Sequence, residues 1–104
     1  MIVWAQVIGF QWDEGNARKS ADKHGVSQTE AEQVFFNEPL LVVPDDKHSQ
    51  QELRHHVLGM TDDGRCLHLT FTLRASDTLI RVISARDMHR KEKAIYEKAR
   101  QDVP

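Results

Sequence analysis

A single cysteine, Cys66, occurs in these 104 residues. That excludes an internal disulfide and a cysteine zinc cluster. No apolar run approaches the ~20 residues that span a bilayer, so no membrane association is expected. Met1 to Phe10 is apolar, but it lacks a basic start and a small-residue cleavage site. It does not read as a signal peptide, and a cytoplasmic protein is expected. The six histidines show neither HxH nor HxxxH spacing, so neither a metal site nor any other cofactor is expected. Repeats, low-complexity tracts and linkers are missing as well, which points to one domain spanning residues 1–104. A strong charge excess is also absent: the formal net charge is −2. What remains is 39% hydrophobic, enough for a core that buries roughly two-thirds of the unfolded surface.

Ile2 to Trp12 is rich in Val, Ile, Phe and Trp and reads as extended. Asp13 is placed to cap a following helix, with Ala17, Ala21 and His24 on one face and Gly25 as its left-handed stop. Ser27 and Glu30 form a capping box for a second helix, with Val26 and Ala31 as its hydrophobic staple. Ala31, Val34 and Phe35 form the buried stripe of that helix. Pro39 ends it, because the residue before proline leaves helical space.

The remainder reads as strands. Leu40 to Val43 is a short one, and Asp45 to Gln50 is a polar loop. Arg54 to Met60 is a strand, and Asp62 to Gly64 is a hairpin turn. From Cys66 to Leu73 the alternation is strict: Leu67, Leu69, Phe71 and Leu73 face one way, Cys66, His68, Thr70 and Thr72 the other. Residues 75–77 turn the chain, Leu79 to Arg86 is the last strand, and Asp87 is placed to cap a final helix from Met88 to Gln101. The order β-α-α-β-β-β-β-α predicts an α+β domain, an antiparallel sheet with helices packed on one face. The other face is then free to stay solvated or to bind something.

If Ile80 and Val82 join the core, Arg81 shares the open face with His68, Thr70 and Thr72. Arg86 falls at the strand end, beside His89 and Arg90 in the first turn of the last helix. Free helix amides with arginines nearby suit a phosphate. RNA cleavage needs little more, since the ribose 2′-hydroxyl is the nucleophile. The protein must supply proton transfer and charge stabilisation. Histidine suits the first task and arginine the second.

Each residue also has a plain reading. Arg81 fits a solvated edge charge, and Arg86 and Arg90 fit surface pairs with Asp87 and Glu92. His24 fits a helix C-terminal side chain. His48 fits a solvated loop residue, and adjacent His55 and His56 face opposite ways and cannot chelate together. Cys66 fits a small strand residue, and Trp4 and Trp12 fit packing. The last helix has only a thin apolar stripe of Met88, Ile95 and Ala99.

Phe10 to Asp13, Asn16, Lys23 to Val26, and Glu30 to Phe35 form the first part of an ordered set. Pro39 with Leu40, Gly59, Gly64 with Arg65, Arg81 to Arg86, Glu92 and Tyr96 complete it. In this order the chain resembles the BrnT-type toxins of bacterial type II toxin–antitoxin systems, over roughly residues 10–97. The resemblance implies a RelE-like fold and a ribonuclease that works without a metal. It also implies a cognate antitoxin of ribbon-helix-helix type, BrnA-like, through which the complex reaches operator DNA. Arg81 and Arg86, with His68 from the open face, are the candidate catalytic residues. Lys23, His24, His89, Arg90 and Tyr96 are the candidate RNA contacts. Two features depart from the family pattern: the stretch Met1 to Gly9 before the matching motif, and a middle rich in histidine, so His55, His56 and His68 inherit no role by resemblance.

The acidic balance opposes polynucleotide binding unless charge is segregated. Residues 81–100 carry seven basic side chains against three acidic ones, a local excess of +4, while residues 30–63 are acidic. Two alternatives stay open on sequence alone: a non-catalytic protein-binding module, and a degenerate toxin that serves only as antitoxin partner and co-repressor.

Overall fold

The computed structural model describes residues 2–45, 47 and 52–102. Its centre is a nine-residue strand in which Leu67, Leu69 and Phe71 have no exposure. Strands and helices run in the order β1 (Gly9–Phe10), α1 (Lys19–His24), α2 (Gln28–Val34), β2 (Leu41–Pro44), β3 (Arg54–Met60), β4 (Cys66–Arg74), β5 (Leu79–Asp87) and α3 (Arg90–Gln101). The sheet order is β1-β5-β4-β3-β2. The α+β class and the element order agree with expectation, but the sheet is mixed: β1 pairs parallel with β5, and the other pairings are antiparallel.

Leu67, Leu69 and Phe71 of β4, Val57 of β3, and Ile80, Val82 and Ala85 of β5 form the core with Val26, Ala31 and Val34. Each fully buried large side chain here contributes roughly 1.5–3 kcal/mol. Helix α2 lies against this face, capped as expected: Ser27 Oγ accepts from the Glu30 amide, and Glu30 Oε1 accepts from the Ser27 amide. Its approach is close at Gly59, where a Cβ would meet Val34 Cγ1 at 2.5 Å. The Asp62–Gly64 turn forms with Gly64 at φ 84°.

Helices do not share one face. Glu92 of α3 reaches His68 and Arg86, which alternate with the core residues, so α3 starts over the second face. Its anchor is Tyr96, fully buried, whose hydroxyl donates to the Pro39 carbonyl. Ile95, expected in the apolar stripe, is 58% exposed.

The N-terminal third departs most from expectation. Trp4–Gln6 is a 3-10 turn, and only Gly9 and Phe10 form strand. Asp13 caps a turn rather than α1, accepting from the Gly15 amide. On α1 Ala21 is exposed, while Ser20, and Asn16 in the turn before the helix, are buried. The reason is the edge of β5, which β1 is too short to cover. Asn16 Nδ2 donates to the Val82 carbonyl, and the Ala85 amide donates to Ser20 Oγ, so polar side chains complete the ladder. Likewise Asp87 does not cap α3: Arg65 holds its carboxylate, and the helix begins after His89. Most of the loop expected at residues 45–50, His48 included, lies outside the described residues. Among the described residues no helix is long and apolar enough to cross a membrane.

Candidate active site on the second sheet face

Alternation on β3 and β4 turns His56, Leu58, His68, Thr70 and Thr72 away from the core. On β5, Arg81 lies opposite Thr72 and Arg86 opposite His68, so both arginines share this face. Strict alternation would have separated them, because they are five residues apart. A bulge at Thr70/Phe71 corrects the parity: Phe71 pairs with Val82 but Thr70 with Ser84, leaving Ile83 unmatched. The arginines remain about 13 Å apart along the sheet, the spacing of their partners Thr72 and His68. They therefore head two separate clusters.

Arg86 belongs to the first. Its two terminal nitrogens donate to Glu92 at 2.8 and 3.0 Å, and one also to the Asp87 carbonyl. Glu92 further accepts from the His89 amide at 2.8 Å. The hydrogen bond from Arg86, with the His89 amide and the nearby His68, lowers the Glu92 pKa to about 2. His68 Nε2 stands 3.9 Å from Glu92 Oε2. Burial, then the charge of Arg86, pushes His68 down to about 4. It is a neutral imidazole at pH 7 and cannot serve there as a ready proton donor.

Arg81 heads the second. It grips Asp13 through both terminal nitrogens at 2.8 and 3.0 Å and also reaches Gln11. Asp13 is held below the usual carboxylate range, chiefly by the hydrogen bond from Arg81. The side chain of Asp13 is 56% exposed and that of Arg81 only 15%, so an incoming anion must displace the carboxylate to reach the guanidinium.

A third group was not singled out from the sequence. His56 lies between Asp45 and Thr70: Nε2 is 3.0 Å from Asp45 Oδ2 and Nδ1 is 3.0 Å from Thr70 Oγ1. Its ring stands 4.9 Å from that of His68. The signal for it was in the hairpin. Residues equidistant from Asp63 pair, which sets His56 against Thr70. His55, on the opposite face, stacks on Phe71 in the core. A groove of about 290 Å³ runs beside α3, lined by apolar Leu41, Val43 and Ile95 and by His56, His68 and Glu92. A larger cavity beside β1, about 500 Å³, is walled by Trp4, Phe10, Phe35 and Phe36 and carries neither histidine nor arginine.

The remaining candidates are scattered. His89 and Arg90 are exposed at the start of α3, next to the Arg86 cluster. Lys23 and His24 end α1, where His24 and Lys93 both act on Asp87 and Arg65 bridges Asp87 to Glu30. Tyr96, expected to meet RNA, has no exposure and offers none a surface. Among the described residues no group of three or more His, Cys, Asp or Glu side chains is arranged to hold a metal ion.

Comparison with known proteins adds one finding. No curated protein matches the chain significantly. The sequence model of one family, described as the ribonuclease toxin BrnT of a type II toxin–antitoxin system, matches residues 12–92. That span holds Asp13, both short helices, strands β2 to β5 and Glu92, and on it the chain belongs to the BrnT family of ribonuclease toxins.

Proposed function

We propose that this chain is a metal-independent endoribonuclease that acts in the cytoplasm, cleaves RNA and thereby inhibits growth or translation. The observation that carries this reading is the Arg86–Glu92–His68 cluster beside an open groove and the amides of α3. A guanidinium there can stabilise the charge that develops on phosphorus while the 2′-hydroxyl attacks. Arg81, with His89, Arg90, Lys23 and His24, would hold the strand on either side. Both arginines already bind carboxylates, so an RNA phosphate must displace Asp13 from Arg81 and must share Arg86 with Glu92 or displace it. Five donors on the guanidinium make sharing feasible at Arg86. A cognate antitoxin of ribbon-helix-helix type would neutralise the toxin and carry the complex to operator DNA.

Purified protein free of antitoxin, incubated with RNA with and without chelator, tests the reading. Cleavage that survives chelation supports it. If Arg81→Ala and Arg86→Ala both leave growth arrest intact, the site lies elsewhere.

A further inference from the structure

We propose that His56 is the general base of this site, held in position by Asp45. The proposal rests on the ribonuclease reading above and supplies what that reading lacks, since His68, largely enclosed beside Arg86 and with its pKa lowered to about 4, is a weak base. Asp45 is itself buried, 7% exposed, whereas the His56 side chain is 32% exposed and lines the groove. A buried carboxylate on one ring nitrogen fixes the tautomer. With the proton on Nε2, facing Asp45, Nδ1 keeps its lone pair and accepts from the Thr70 hydroxyl.

In the reaction the ribose 2′-hydroxyl replaces Thr70 as donor to Nδ1. The proton passes from O2′ to Nδ1, and the O2′ electron pair forms the bond to phosphorus. The P–O5′ bond breaks with its electron pair leaving on O5′, which takes a proton from solvent water. The imidazolium returns its proton to the hydroxide so formed. The products are a 2′,3′-cyclic phosphate and a 5′-hydroxyl. Asp45 stabilises the imidazolium while it lasts, and Arg86 offsets charge on the phosphoryl oxygens.

Among the described residues, the charged and titratable groups around His56 are Asp45 after β2, Arg54 on the same face of β3, His68 on β4 and Glu92 of α3 in the same groove. Arg86 of β5 lies opposite His68. A purely structural role is the rival: the same two hydrogen bonds would tie the end of β2 to β4. The two roles differ in what the pH profile does.

The test measures cleavage of RNA by wild type, His56→Ala, His56→Gln and Asp45→Asn from pH 5 to 9. Binding of a 2′-O-methyl RNA, which cannot be cleaved, is followed in parallel. A general base accounts for about 10²–10⁴-fold in rate. His56→Gln keeps hydrogen-bonding capacity toward its neighbours, yet should lose at least about 100-fold in cleavage while binding the methylated RNA within a few-fold of wild type. Added imidazole should restore cleavage to His56→Ala, and substituted imidazoles should move the rescued pH profile according to their own pKa. Asp45→Asn should lower the rate and displace the acid limb of the profile. Wild-type cleavage by His56→Gln, or an unchanged acid limb in it, overturns the proposal and leaves the ribonuclease reading standing. Absence of cleavage by folded wild type overturns both.

Discussion

His68 is a histidine that the fold keeps from charging, and this ties stability to acidity. Its side chain is 12% exposed, and its pKa falls from 6.5 to about 4. Between those values the unfolded chain holds a proton that the folded chain does not. Its contribution is therefore complete above pH 6.5 and is lost as the pH falls toward 4. Glu92, lowered from 4.5 to about 2, contributes above 4.5 and loses its contribution as the pH falls toward 2. Acid should weaken the fold in two stages. Urea unfolding at a series of pH values should show His68→Gln flattened chiefly between pH 6.5 and 4. Glu92→Gln should flatten the stage below pH 4.5. A His68→Gln curve as steep as wild type between pH 6.5 and 4 would refute the assignment.

At the scale of elements, two close fits set the frame for the site. Gly59 lets α2 lie on β3, and a methyl group there would overlap Val34. Gly59→Ala should cost about 1–3 kcal/mol by overpacking, read as a lower denaturant midpoint with unchanged slope. The β4–β5 turn is strained in the other sense. Ala75, Ser76 and Asp77 all take left-handed φ, between 54° and 67°, without a glycine among them. Ser76→Gly should stabilise by roughly 0.5–1 kcal/mol, because relief of left-handed strain exceeds the added freedom of the unfolded chain. The same elements show what a sequence reader can and cannot see. The Ser27–Glu30 capping box, the Asp62–Gly64 turn and the β4 alternation are local, and all three appear as expected, whereas the caps expected at Asp13 and Asp87 do not form. The β5 bulge is not local: nothing between Ile80 and Arg86 announces it, yet it decides which face Arg86 occupies. The brevity of β1 is equally hidden. Val, Ile, Phe and Trp near the start raise strand propensity, but Asn16 and Ser20 take over the β5 edge. Tyr96 matched a family motif, and no residue around it in the chain reveals that it is the anchor of α3. The arginines were legible as chemistry but not the carboxylates that hold them, since Asp13 and Glu92 looked like helix caps or surface partners.

On the scale of the whole molecule, function must overcome a net charge of −2. Ion pairs absorb much of the basic charge: Arg65, Arg74, Arg81, Arg86 and Arg100 all contact acidic side chains. What is left to meet phosphates is concentrated on α3, where Arg90, Lys91, Lys93 and Lys98 are exposed. Helix α3 also lies beside the Arg86 cluster, so its charges can guide RNA to the groove as well as retain it. Each phosphate neutralised on single-stranded RNA should contribute about 0.7 to the slope of log affinity against log salt. Replacing Arg90, Lys91 and Lys93 by serine should flatten that slope by about 2 if all three meet phosphate, with affinity falling most at low salt. The catalytic rate at saturating RNA should change little, because none of the three contacts the Arg86, His68 or His56 clusters. Fluorescence anisotropy with a short 2′-O-methyl RNA from 25 to 300 mM salt, set beside single-turnover cleavage, separates the two effects. An unchanged slope would mean that these three side chains meet no phosphate and that RNA approaches by another face.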